Sequence, residues 1–338
     1  MVWIQFALCM LIILFAGSRL SHYADAIAEK TGLGRIWIGL LLLGVVTSMP
    51  EMVTGVSSVA LIGLPDLALG TVLGSCIFNL ALLGPLDILH RGNPILSRAS
   101  RIHILSAGLG ILLLGITALS ILGGESFSGW ALGWIGLPSF IILVFYVLGA
   151  RHVFRSEQQT HVVEIPTEPA YEHVSLRGVF FRFALTAGAV IGAGIWLSFI
   201  GDEIATTYNW SAGFVGSLFL AITTSMPELV VTITAVRMGA IDLAIADILG
   251  ANMLDILAIS LSDLFYTRGP ILFQPRALVS EAHIITALVA IAMTLVVIVG
   301  LRFPRERKTF SIISWYGPLL IGLYIFGAYA LYSSGMSG

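Results

Sequence analysis

Thr47-Ser48-Met49-Pro50-Glu51 recurs 177 residues later as Thr224-Ser225-Met226-Pro227-Glu228. Each copy lies inside a long apolar run, where a proline and a carboxylate are both out of place. Proline removes a backbone N–H, so Pro50 leaves the Val46 carbonyl, and Pro227 the Thr223 carbonyl, without a helical partner. A carboxylate in hydrocarbon is costly and marks a functional site by default. Two such copies in matching places point to a transporter built from repeats, with its site where the repeats meet.

The surrounding composition fits that setting. The chain has 338 residues, of which 57% are hydrophobic and 11% charged, a balance foreign to ordinary soluble domains. A membrane helix takes about 20 apolar residues. The apolar runs predict ten spans, near residues 2–20, 35–62, 66–89, 101–122, 129–150, 177–200, 211–236, 242–265, 278–301 and 311–333. The runs are too long and too uniformly apolar for barrel strands. The first run lacks a basic leader and a small-residue cleavage site, so it reads as a retained span. Cys9 and Cys76 both fall in apolar runs and do not suggest a disulfide framework. No basic patch with interleaved aromatics suggests nucleic acid, and the expected partners are inorganic cations and the lipid bilayer.

Placing the connections alternately on two sides puts 15 of the 17 Lys and Arg on one side, leaving Arg268 and Arg276 on the other. The positive-inside rule makes the first side cytoplasmic and both termini extracytoplasmic, in a plasma (inner) membrane. Residues 151–176 read as a mobile cytoplasmic linker containing His152, His161 and His173, between a first half (1–150) and a second half (177–338). The halves align over about 39–84 and 216–260. Gly39 pairs with Gly216 and Leu43 with Leu220. After a one-residue gap, Asp66-Leu67-Ala68 pairs with Asp242-Leu243-Ala244 and Asn79 with Asp255. Five spans per half is odd, so the halves enter the membrane with opposite orientation. The expected fold is an all-α polytopic membrane protein, two inverted five-helix repeats with broken helices 2, 3, 7 and 8.

The chemistry concentrates in spans two, three, seven and eight. Around each proline, Thr47, Ser48, Thr224 and Ser225 add hydroxyls to freed carbonyls, and Glu51 and Glu228 follow directly. Oxygen donors of this kind suit hard cations such as Ca²⁺ and Na⁺. Ser75 and Asn79 share one helix face, as do Ala251 and Asp255, so Asn79 and Asp255 can aim into the cavity of the two glutamates. Gly74 and Gly250 permit close approach or a local break. Asp66 and Asp242 read as caps of their own helices, and Glu281 and His283 as interfacial residues.

These segments resemble the two alpha-repeats of the calcium/cation antiporter superfamily, which includes the sodium/calcium exchangers. Its signature is a Thr-Ser-x-Pro-Glu core, an Asp before the next span, then Gly-Ser-Asn-x-x-Asn/Asp. The resemblance implies a central site of Glu51, Asn79, Glu228 and Asp255. It also implies backbone carbonyls of Thr47 and Thr224 offered to Ca²⁺, and flanking Na⁺ sites that include Ser48, Ser225 and Ser75. It implies no cofactor, and mobile spans one and six. Span six carries Ala187-Gly188-Ala189 and Gly192-Ala193-Gly194, whereas span one has only Gly17. The chain departs from the pattern at Thr71 and Asp247, where Asn is frequent, at Cys76 in place of Asn, and at Ala251 in place of Ser. Asp247 is either an extra ion ligand or a water-exposed access residue. Thr71-Val72-Leu73-Gly74-Ser75-Cys76 is similar to the potassium-dependent branch, which leaves the coupling ion open between Na⁺, H⁺ and K⁺.

Glu51, Glu228 and Asp255 bring up to three negative charges into a low-dielectric place and require cations or protons there. Mutually exclusive occupancy of one site gives exchange. The reading is a secondary active cation antiporter, Ca²⁺ against Na⁺ by alternating access. A passive channel, or an intramembrane hydrolase (for which no His-Glu-x-x-His motif exists), is the alternative from another class.

Overall fold

A computed structural model describes residues 1–31, 44–127, 129–160 and 175–335. Gly39, Leu43, Arg35, His161 and His173, which entered the sequence reading, lie outside the described residues. The described chain is almost entirely helical. Its main helices are α1 (Val2–Thr31), α2 (Met49–Ser57), α3 (Pro65–Ala81), α4 (Leu83–Leu89), α5 (Ile95–Arg98), α6 (His103–Gly123) and α7 (Leu137–Thr160). They continue with α8 (Leu176–Tyr208), α9 (Ala212–Val215), α10 (Ala221–Thr224), α11 (Met226–Arg237), α12 (Ile241–Phe265), α13 (Ala282–Arg302) and α14 (Tyr316–Gly335). The exception is a hairpin of two-residue strands, β1 (Ala131–Leu132) and β2 (Ile135–Gly136), where the fifth span was expected to begin. At its other end the fifth span overshoots: α7 runs helically through residues 151–160, so the first part of the expected linker is helix rather than loop.

The molecule is apolar outside and polar within. Leu112, Leu119 and Leu122 of α6, Phe145 and Leu148 of α7, and Leu288 and Leu295 of α13 are exposed, while Glu51, Glu228, Asp255 and, among the described residues, 23 Ser and Thr side chains are buried. This arrangement suits a hydrocarbon solvent, which wets Leu and Phe and excludes carboxylates. Among the described residues, seven helices are long and apolar enough to cross a membrane. A further pair, Ala212–Thr224 and Met226–Arg237, would cross together with a 46° bend. Trp3, Tyr208, Trp210 and Phe219 form one ring cluster, and Trp3 Nε1 donates to the Tyr208 hydroxyl at 2.6 Å, an aromatic group of the kind found at membrane–water boundaries.

The expected helix breaks are only partly present. Residues 44–47 are helical, Ser48 is a turn, and α2 starts at Met49 with Pro50 in its first turn. Span seven repeats this at Ser225. Span three steps at Leu82, where Pro85 cannot bond the Ala81 carbonyl, rather than at Gly74. Span eight is not broken: α12 is continuous over 25 residues. It contains no proline, and Gly250 meets no neighbouring atom within 4 Å, so nothing interrupts its hydrogen-bond ladder. The turns that follow α2 and α11 correspond, with Gly63 and Gly239 both left-handed, at φ 80° and 77°. A side chain there would be strained.

Asp66 and Asp242 do not cap their own helices, whose N-caps are Leu64 and Ala240. Asp66 instead accepts from the backbone of Gly213 (2.6 Å) and Ser280 (2.8 Å) and from His283 Nε2 (2.8 Å). Asp242 likewise pairs with the backbone of Ser100 (2.6 Å) and His103 Nε2 (2.9 Å). His283 is therefore fully buried rather than interfacial. Asp87 accepts from Ile95 N, Ser314 N and the Tyr316 hydroxyl, and Asp263 from Ile271 N, Gly136 N and the Ser139 hydroxyl. Each carboxylate joins three stretches of chain that a sequence pattern cannot relate, because its donors lie up to 229 residues away.

Candidate cation site

The two pentapeptides meet in the centre of the molecule. Ser48 and Ser225 adopt nearly the same backbone, φ −82° ψ 7° and φ −82° ψ 12°, in the sparsely allowed bridge region often used at functional sites. Thr47 Oγ1 bonds the Gly44 carbonyl at 3.1 Å, and Thr224 Oγ1 the Ala221 carbonyl at 3.2 Å. The contacts then cross over. The Ser225 hydroxyl donates to Glu51 Oε1 at 2.9 Å, and the Ser48 hydroxyl to Glu228 Oε1 at 3.3 Å. Each carboxylate is thus oriented by the serine of the other copy.

α3 and α12 close the site. Ser75 Oγ stands 3.5 Å from Thr224 Oγ1. Cys76 Sγ lies 4.0 Å from Asp255 Oδ2. Asn79 Nδ2 donates to Asn252 Oδ1 at 3.2 Å, and Asn252 Nδ2 to the Cys76 carbonyl at 3.1 Å. Close approach of span seven to α3 depends on Gly74, where a Cβ would collide with the Ser217 backbone. All nine residues expected at the core of the site (Thr47, Ser48, Glu51, Ser75, Asn79, Thr224, Ser225, Glu228 and Asp255) are essentially inaccessible to solvent. Asp247 lies apart, two helical turns before Asp255 on the same face of α12, and is also buried. Asn252 was not singled out by the sequence reading. Its signal was present, since it is the Asn that Cys76 replaces in the first repeat.

Glu51 Oε2, Glu228 Oε2, Asp255 Oδ1, Asn79 Oδ1 and Asp247 Oδ2 are buried with no protein hydrogen-bond partner. An unpartnered buried polar atom costs about 1–3 kcal/mol, and four of these five lie on Glu51, Asn79, Glu228 and Asp255, which the two peptides, α3 and α12 bring together, while Asp247 stands outside that group. Among the described residues no three His, Cys, Asp or Glu side chains stand close enough to hold a metal between them. The donors are instead carboxylate, amide, hydroxyl and backbone oxygens, which suit a hard cation in passage better than a resident transition metal.

A membrane fold with a buried, oxygen-lined centre built from two matching peptides defines a cation transporter. The family profile described as Sodium/calcium exchanger protein matches residues 1–149 and 178–333, and the chain belongs to that family, within the calcium/cation antiporter superfamily. It is 26% identical to the inner membrane protein YrbG of Escherichia coli over 253 residues, 74% of this chain and 75% of that one. It is 25% identical to the sodium/calcium exchanger MaX1 of Methanosarcina acetivorans over 362 aligned positions, 96% and 97% of the two chains. The fold is similar to that of the sodium-calcium exchanger NCX_Mj, with a TM-score of 0.61 and 20% identity over 97% of this chain and 99% of that one.

Proposed function

We propose that the protein exchanges Ca²⁺ for Na⁺ across the inner membrane by alternating access, with both termini extracytoplasmic. The central site is Glu51, Asn79, Glu228 and Asp255, with the Thr47 and Thr224 carbonyls as further Ca²⁺ ligands and Ser48, Ser225 and Ser75 in flanking Na⁺ positions. The observation that carries this is the reciprocal Ser225–Glu51 and Ser48–Glu228 bonding, which leaves one oxygen of each glutamate buried without a protein partner. A divalent ion and several monovalent ions compete for the same oxygens, and a site that holds one set or the other couples their movements.

The architecture we propose is ten spans as two inverted five-helix repeats. Seven long apolar helices, one bent pair and two shorter apolar helices, Met49–Ile62 and Leu137–Val153, among the described residues support that count. Matching breaks, matching left-handed glycines and the paired Asp–His contacts support the repeat. A second reading keeps the fold and couples Ca²⁺ to H⁺ or K⁺. It is favoured by Ala251, which offers no hydroxyl where Ser75 stands in the first repeat.

The test is ⁴⁵Ca²⁺ entry into Na⁺-loaded proteoliposomes diluted into Na⁺-free buffer. Saturable uptake driven by the Na⁺ gradient is expected, and Glu51→Ala or Glu228→Ala abolishes it while the protein still elutes as a folded species. Uptake that follows only a pH or K⁺ gradient selects the second reading. Unsaturable, gradient-independent flux identifies a channel.

A further inference from the structure

Thr71, Ser75 and Asn79 of α3 correspond to Asp247, Ala251 and Asp255 of α12, each triplet spaced by four residues along one face. The two faces are chemically unequal. Thr71 closes its hydroxyl on its own backbone, donating to the Leu67 carbonyl at 2.8 Å, and Ser75 turns toward Thr224. On the other side Ala251 is fully buried and contributes no donor or acceptor, while Asp247 is only 6% exposed and its Oδ2 has no protein partner. The second repeat has lost a neutral oxygen and gained a carboxylate one turn away.

Position separates Asp247 from the central four. It lies about 12 Å along the α12 axis from Asp255, on the side of the α11–α12 turn at Gly239. α11 packs against α12 across that turn, with Glu228 eleven residues before Gly239 and Asp247 eight after it, so Glu228 lies at a level of α12 between Asp247 and Asp255. With Asp247 the buried compartment carries four carboxylates, and a single divalent ion offsets only half of that charge. A lone buried carboxylate needs a positive charge or a proton, and oxygen donors of this type hold hard monovalent cations.

We infer that Asp247 and Glu228 form a further cation position, beyond the flanking positions of Ser48, Ser225 and Ser75 and on the α11–α12 turn side of the central site, which holds a monovalent alkali cation when the protein is loaded with monovalent ions. This rests on the cation-exchange reading above. The position raises by one the number of monovalent ions that must bind to displace one divalent ion.

The experiment compares the full-length protein with Asp247→Asn and with Asp247→Thr, the residue of the first repeat. Na⁺ displacement of bound ⁴⁵Ca²⁺ is measured on purified protein at fixed pH, and Na⁺-dependent exchange in proteoliposomes. Both variants are expected to lower the Hill coefficient for Na⁺ by about one, with Ca²⁺ affinity in the absence of Na⁺ held within about twofold. An unchanged Na⁺ Hill coefficient overturns the inference, whether or not the pH dependence moves, since a group that only takes a proton or lines an access path gives that result. If Glu51→Ala still binds and exchanges Ca²⁺ like the wild type, the central site itself is misassigned, and that failure is separate from the Asp247 result.

Discussion

An asparagine side chain can present either an acceptor or a donor to a cation, and only the acceptor binds it. At Asn79 the choice is made by Asn252, whose Oδ1 takes the Asn79 N–H and leaves Asn79 Oδ1 turned away and unpartnered. Asn252 is itself held by the Cys76 carbonyl. Asn252→Ala removes both bonds and frees the Asn79 amide to rotate. Ca²⁺ affinity will fall by about tenfold, the equivalent of one to two net hydrogen bonds, as measured by ⁴⁵Ca²⁺ binding. An unaltered affinity would show that Asn79 needs no orienting partner. The glutamates follow the same pattern, each with one oxygen satisfied by serine and one buried without a protein partner.

At the scale of the helix, the small residues of spans one and six do not act as their sequences suggest. Gly188 and Gly192, in the richer cluster, meet nothing within 4 Å. Gly194 and Gly17, 177 residues apart, make the close contacts. A Cβ on Gly17 would fall 2.5 Å from Pro227 Cγ, and one on Gly194 would fall 3.0 Å from Val53 Cγ1. α1 packs along α8, and each of the two also touches one of the proline-bearing helices. If these two helices move during exchange, Gly17 and Gly194 are the bearing points. Gly17→Val and Gly194→Val will slow turnover by tenfold or more, about 1.4 kcal/mol or more on the barrier, with a smaller effect on Ca²⁺ binding. Equal loss of binding and turnover would mean that the substitution merely distorts the site.

Over the whole molecule, charge and burial divide the tasks. The Asp66–His283 and Asp242–His103 pairs, with the Asp87 and Asp263 contacts, tie the ends of span three (α3–α4) and of α12 to residues far along the chain. They hold the site helices in a frame against which α1 and α8 lie. The Lys and Arg distribution sets orientation and is independent of that frame. A C-terminal alkaline phosphatase fusion will be active and a C-terminal green fluorescent fusion dark when expressed in a bacterium. The reverse pattern would overturn the external placement of the C-terminus.

The sequence alone determined the membrane class and the doubled Thr-Ser-Met-Pro-Glu, and it named the nine polar residues that are buried at the centre of the molecule. Those signals are local: apolar length, a proline inside it, and a carboxylate where hydrocarbon forbids one. It misread what depends on distant partners. Asp66 and Asp242 looked like local caps because an Asp at a helix start has that use, and their true donors lie 139 to 217 residues away. Span eight was expected to break by analogy with its repeat, yet it has neither a proline nor a close neighbour at Gly250 to break it. The pairing of each serine with the other copy's glutamate was decided only by tertiary structure. The two peptides are identical in sequence, and nothing within either one states which carboxylate its hydroxyl will meet.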